Sequence, residues 1–173
     1  MGGSPPKALM WLANVSYSVP THSLDPNLML IRDAIPSDEP SWRALWAGYL
    51  AFYQAEVPEE VTLKTWERLI RKQDGFLCRV AETSGEVCGF TLCVLHAGTW
   101  TTEPICYLED LFVAPEFRGR GIGEALIRDL TELGKAKGWS RLYWHTQTGN
   151  TTARSVYDRF TLADDFVRYR IAF

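Results

Sequence analysis

The sequence predicts a mixed α/β (α+β) domain in which a mostly antiparallel, six- to seven-stranded mixed sheet carries helices on both faces. Three observations predict it. Two apolar runs joined by Thr83-Ser84-Gly85 read as a hairpin, and from Ile105 onward the order is strand, helix, strand, helix, strand. Apolar residues also recur at three- and four-residue intervals in the stretches between strands, the mark of amphipathic helices. The chain has 173 residues, 46% apolar and 13% aromatic, enough for one core and not for two. One domain over residues 28–173 is expected, behind an extension of residues 1–27.

That extension is rich in Gly, Ser and Pro (Gly2-Gly3-Ser4-Pro5-Pro6, Pro20, Pro26) and has no sustained period. It is expected to be partly mobile, or to dock through Leu9, Met10, Trp11 and Leu12. A strand follows over 28–32. Ser37 or Asp38 can then cap a helix running to about residue 54, whose stripe is Trp42, Leu45, Trp46, Tyr49, Leu50 and Tyr53. A second helix over 62–72 ends at Asp74-Gly75, and hairpin strands follow over 76–82 and 86–96. After a polar loop (98–104) come a strand over 105–113, a helix over 121–137 stopped by Gly138, and a strand over 141–147. A helix over 150–160 and a last strand over 166–171 complete the order.

Charge and cysteine usage narrow the function. With 18 Lys plus Arg against 21 Asp plus Glu the formal charge is −3, so no general basic field exists to hold a nucleic-acid backbone. No apolar stretch approaches the ~20 residues that cross a bilayer, and no signal peptide is expected, so a cytoplasmic or nuclear location is expected. Cys78, Cys88, Cys93 and Cys106 form no Cys-x-x-Cys pair and sit in apolar strands as reduced core thiols. No spacing resembles a metal site, and there is no Gly-x-Ser-x-Gly elbow.

The chemistry concentrates in Arg118-Gly119-Arg120-Gly121-Ile122-Gly123, between a strand and a helix. A helix N-terminus leaves N–H groups unpaired and carries partial positive charge, so it binds phosphate. Gly119, Gly121 and Gly123 let the backbone approach such a ligand, and Arg118 and Arg120 add charge beside a pyrophosphate. The spacing is neither a dinucleotide fingerprint nor a Walker loop. Taken alone it reads equally well as a glycine-rich turn with two solvated arginines.

Its context decides between these. The run Tyr107-Leu108-Glu109-Asp110-Leu111-Phe112-Val113-Ala114-Pro115-Glu116-Phe117-Arg118-Gly119-Arg120-Gly121-Ile122-Gly123 resembles the acetyl-CoA motif of the GNAT N-acetyltransferases, Arg/Gln-x-x-Gly-x-Gly/Ala, at every position. Asn150-Thr151-Thr152-Ala153-Arg154-Ser155-Val156-Tyr157 resembles that superfamily's second cofactor motif. The resemblance spans residues 28–173 and is greatest to the histone, polyamine and amino-acid acetyltransferase branch. Thr161-Leu162-Ala163-Asp164-Asp165 departs from it, lacking the Gly-containing turn such proteins often carry.

The resemblance implies a three-layer GNAT fold and transfer of the acetyl group of acetyl-CoA to a primary amine by direct attack, leaving CoA. It implies a cofactor site of Leu111, Phe112, Val113, Arg118, Gly119, Arg120, Gly121, Ile122, Gly123, Glu124, Asn150, Ala153 and Tyr157. In the family a backbone N–H of the strand holds the oxyanion. Tyr157, protonated at neutral pH, is the expected acid toward the departing thiolate. Proteins similar in Tyr-Leu-Glu-Asp point to Glu109 as the base, with Asp110 on the substrate's ammonium. Period-2 alternation sends Glu109 and Asp110 to opposite faces unless a bulge intervenes.

Trp46, Tyr49 and Tyr53, with Asp110, would receive a cationic acceptor through cation–π and ionic contacts. A polyamine, an amino acid and a lysine side chain all fit, and His96 and His145 are minor candidates as proton acceptors. Two rivals stand beside this reading: a catalytically silent acetyl-CoA-binding sensor or scaffold, and a protein holding another phosphorylated ligand. A homodimer is expected, with no nucleic-acid or membrane partner.

Overall fold

The structure, a computed structural model, describes residues 29–173, so the expected extension and Leu28 lie outside the described residues. The elements are β1 (Met29–Asp33), α1 (Glu39–Tyr53), α2 (Glu59–Arg71), β2 (Phe76–Thr83) and β3 (Glu86–His96). Then come β4 (Ile105–Val113), α3 (Ile122–Lys137), β5 (Arg141–Trp144) and α4 (Thr151–Tyr157). The sheet runs β1-β2-β3-β4-β5, antiparallel through β4 and parallel between β4 and β5.

Helices cover both faces. Trp42 and Leu45 of α1 and Trp66 and Leu69 of α2 bury against Val80, Phe90, Leu92 and Phe112 on one face. Ile127 and Leu130 of α3 bury against Leu77, Cys93, Cys106 and Leu108 on the other, and Ile122 and Leu126 against Ala81, Cys88 and Val113. Trp42 is fully buried and stacks on Trp46 at 5.7 Å and on Trp66 at 4.9 Å. Burying an indole of 150–250 Å² contributes about 4 to 6 kcal/mol, so this stack fixes α1 and α2 to the sheet. All four cysteines are buried and free, as expected.

Two expectations are corrected. The sheet has five strands among the described residues, not six or seven, because 166–171 joins no ladder. Alternation makes a segment fit to pair but does not bring an edge to it. The glycine-free connector 161–165, with the Thr161 N–H still on the Tyr157 carbonyl, does not return the tail to β5.

Asp38 stands at the N-cap of α1 but makes no side-chain cap. Its carboxylate instead accepts from Arg32 at 2.6 and 2.9 Å and from the Ile35 N–H at 2.8 Å, tying β1 to the helix.

Candidate active site

The site is organised by one extra residue in β4. Leu92 pairs with Asp110 and Cys93 with Leu108, so Glu109 has no partner and forms a bulge. Its effect is to exchange the faces. Before it, Cys106 and Leu108 point into the α3 layer; after it, Asp110 and Phe112 point to the α1 side and Leu111 and Val113 to the α3 layer. The bulge therefore overrides simple alternation: Glu109 is exposed and Asp110 lies in the cleft under α1.

The same place ends the β4–β5 pairing. The parallel ladder covers Ile105–Arg141 to Leu108–Trp144 and stops, so the β5-side edge of residues 109–113 is unpaired among the described residues. That open edge, which includes Leu111, Phe112 and Val113, leads into the glycine loop.

Gly119 (φ 74°) and Gly121 (φ 79°) are left-handed, which L side chains adopt only with strain. No protein atom lies within 4 Å of where a Cβ would stand at either, so the loop is open on its outer side. Gly121 is the N-cap of the sixteen-residue α3, and the first N–H groups of that helix have no intrahelical acceptor. The arginines are not free rotors. Arg118 Nε donates to the Val113 carbonyl at 3.0 Å, its guanidinium 5.3 Å from the Phe112 ring; Arg120 donates to the Glu116 carbonyl at 3.0 Å and lies over Phe117. Both keep exposed positions beside the loop. Open glycines, unpaired N–H groups and two anchored cations fit a pyrophosphate.

On the other side of β4, the Tyr49 hydroxyl donates to Asp110 in a short hydrogen bond. Burial pushes the Asp110 carboxyl up to about 6; the Tyr49 bond opposes that rise and the Glu109 charge adds to it. Burial likewise raises the Tyr49 and Tyr53 phenols. Tyr49 stacks on Trp46 at 5.4 Å and meets Tyr53 at 4.9 Å. Trp46 donates its indole N–H to Thr62 at 3.3 Å. It therefore supports Tyr49 from behind rather than offering a free face.

Tyr157 packs edge-on against Trp144 at 5.4 Å, and burial pushes its phenol up to about 12, so it stays protonated at neutral pH. The Asn150 side chain caps α4, accepting from the Ala153 N–H at 3.3 Å and donating to Thr146 at 3.2 Å. Glu124 bridges Arg128 at 2.8 Å and Arg159 at 2.7 Å, joining α3 to the end of α4.

A cluster that sequence reasoning missed lies on β4 and β5. Tyr107 and Tyr143 pair in register and stack at 5.1 Å, with His96 Nε2 3.1 Å from the Tyr143 hydroxyl and His145 Nδ1 3.4 Å from that of Tyr107. The two histidines are thus wall residues held by phenols. Arg141 closes the far end, 5.6 Å over the Tyr143 ring. Only the strand pairing reveals this floor; the residues are far apart in the chain.

Residues 41–161 match the family model described as Acetyltransferase (GNAT) family. The chain is similar to a D-amino-acid N-acetyltransferase of Saccharomyces cerevisiae, 30% identical over 145 residues, covering 82% of this chain and 89% of the relative. It is also similar to a thialysine N-epsilon-acetyltransferase of Caenorhabditis elegans, 33% identical over 49% of this chain and 50% of that one. Among solved structures, an aminoglycoside N-acetyltransferase in complex with CoA shares the fold, with a TM-score of 0.69 and 24% identity over 83% of this chain and 95% of that one.

Proposed function

From the premise that the chain belongs to the Acetyltransferase (GNAT) family and is an acetyl-CoA-dependent N-acetyltransferase, we propose that its acceptor is the primary amine of a small carboxylate-bearing molecule, an amino acid. The observation that carries this is the bulge at Glu109. It turns one partly buried carboxylate, Asp110, into the aromatic cleft under α1, where an ammonium meets both the charge and the ring faces. The likeness to a D-amino-acid acetyltransferase supports the same choice.

Acetyl-CoA, when bound, supplies the thioester carbonyl that the amine attacks. The residues that would hold it are the 118–124 loop for the pyrophosphate and the open edge of 109–113 for the pantetheine amides, as an added strand. Asp110, mostly ionised at pH 7 with its carboxyl near 6, receives the acceptor's ammonium and takes its proton. The Tyr49 hydroxyl fixes that carboxylate, and Tyr49, Tyr53 and Tyr107 wall the cleft. Tyr157 holds the proton that the departing sulfur needs. Glu109, exposed at the bulge, lies on the solvent side of Asp110.

The test is a thiol-release assay across D- and L-amino acids, spermidine and a lysine peptide. We expect kcat/KM for amino acids to exceed that for spermidine by at least ~10-fold, about 1.4 kcal/mol. Tyr157→Phe should lower kcat by roughly 10²-fold or more with acetyl-CoA affinity unchanged. A higher rate with spermidine overturns the acceptor assignment, and acetyl-CoA binding with no turnover on any amine returns the silent-sensor reading.

A further inference from the structure

The half-buried arginines of β1, α1 and β2 are already matched. Arg32 bridges Asp38 and Glu82, Arg43 bridges Glu39 and Glu59, and Arg79 bridges Asp33 and Asp129. Arg68 of α2, also half-buried, differs: it makes no ion pair among the described residues, and its Nε is buried without a hydrogen-bond partner. Glu67, its chain neighbour, is taken by Lys64 at 2.9 Å and by Arg71 at 2.8 Å. A buried donor on a charged group is costly to leave unpaired, so Arg68 is poised for an acceptor that the described residues do not supply.

Its position gives that acceptor an address. The guanidinium carbon lies 5.5 Å from the centre of the Phe76 ring. Phe76 pairs with Val94, Val94 with Tyr107 and Tyr107 with Tyr143, one row across the sheet. Alternation puts the row on the face of α1 and α2, because Cys106 and Leu108 on either side of Tyr107 point into the α3 layer. All members of the row are half-buried, whereas Cys78 and Leu92 of the next row on that face are buried. The row is therefore the floor of a shallow groove with Arg68 at its β2 end.

Asp110 completes the next row, on Leu92, and so stands beside this groove. Two strands at about 4.8 Å and two residues at about 3.4 Å put the Asp110 and Phe76 backbones about 12 Å apart, a gap for one small molecule between an aspartate side chain and the guanidinium over Phe76.

We propose that Arg68 binds the carboxylate of the acceptor whose ammonium meets Asp110, and so sets the preference for an amino acid over a simple amine. The assignment rests on the amino-acid reading above and names the residue that enforces it. A guanidinium laid on an aromatic face keeps its edge N–H groups for a two-point contact with a carboxylate, and half-burial strengthens that pair relative to one in open water. An acceptor without a carboxylate leaves Arg68 unmatched. Arg141, at the β5 side of the floor, is exposed and lies in the row of His96 and Ile105, farther along the strands from Asp110 than the Phe76 row, so its contact with a carboxylate is solvated and weak.

The test compares amino acids with their decarboxylated amines, D- and L-alanine with ethylamine and D- and L-phenylalanine with phenethylamine, in the thiol-release assay. The wild type should favour the amino acid. In Arg68→Met that preference, taken as the ratio of the two kcat/KM values, should fall by at least ~30-fold, mostly through KM; Arg68→Lys, which keeps the charge and loses the fork, should fall less. Thermal melts and acetyl-CoA binding check that the variants are folded. An equal loss on amino acid and amine in Arg68→Met assigns the residue to packing over Phe76 and overturns the proposal, as does a preference that survives in Arg68→Met and disappears in Arg141→Met. A wild type that does not favour the amino acid overturns the amino-acid reading itself, and this assignment with it.

Discussion

The two halves of β4 have nearly the same sequence character and opposite duties. Ile105 to Leu108 pairs on both sides, sends Cys106 and Leu108 into the α3 layer and serves the core. Asp110 to Val113 pairs only with β3 among the described residues, turns a carboxylate toward α1 and leads to the glycine loop. Between them stands Glu109. One inserted residue, absorbed by the bulge, leaves both halves in step with β3, at the point where the pairing with β5 stops. Position in the register, more than residue type, decides which side chains do chemistry.

Deleting Glu109 is the harshest way to break that comparison. With Glu109 gone, Leu108 and Asp110 become chain neighbours, and ordinary alternation sends them to the faces they already occupy, Leu108 to the α3 layer and Asp110 to the α1 side, in a regular ladder with Cys93 and Leu92. The core keeps its side chains, so Tm should shift by no more than roughly 4 °C, about 1 kcal/mol for a chain of this size; what is lost is the bend and extra twist of the bulge, at the point where the β4–β5 pairing stops. Acetylation should vanish. A thermal melt and the thiol-release assay check both, and activity surviving in the deletion would show that the bulge does not build the site.

Asp110→Asn separates the two duties without moving the backbone. Loss of a positioned base should lower kcat/KM by about 10²–10⁴-fold and abolish the rise of activity with pH through about 6 that is expected of the wild type. Stability should move the other way. The folded state holds the Asp110 carboxyl above its ordinary value of 3.8, so the folded chain keeps a proton that the unfolded chain has lost. Stability therefore falls as pH rises from about 4 to about 6 and stays reduced above that. Removing the charge should stabilise the protein at pH 7 by roughly 2 to 3 kcal/mol and leave it unchanged at pH 3. Denaturant melts at the two pH values measure it.

How much of this the chain disclosed depended on the range of the interaction. The glycine loop was legible because its signal is local: Gly119 and Gly121 occupy left-handed positions within five residues of each other, directly before a helix. The Trp42–Tyr49–Tyr53 stripe was legible for the same reason, as helical spacing. Tyr107 over Tyr143 and the end of the β4–β5 ladder were not, since both arise from strand pairing across more than thirty residues. The tail misled in the opposite sense. Its alternation is a sound strand signal, and the five-stranded sheet lacks it because a local pattern carries no information about which edge receives it.

The mildest change sharpens the comparison most. Glu109 and Asp110 are chain neighbours, and the motif resemblance favours Glu109 as base while the geometry places Asp110 in the cleft. Glu109→Gln leaves the bulge intact and removes a charge that raises the Asp110 carboxyl. If Asp110 takes the proton, the midpoint of the pH–rate profile should move down by less than about one unit, and kcat/KM at pH 7 should change by less than ~3-fold. The direction follows from electrostatics alone: with a negative neighbour gone, the ionised form of Asp110 is easier to reach, so more of the enzyme is active at low pH. A loss of 10²-fold or more on Glu109→Gln, with a small effect of Asp110→Asn, reverses the two roles. It would mean that the proton leaves through the exposed bulge carboxylate and that Asp110, held by Tyr49, only anchors the ammonium.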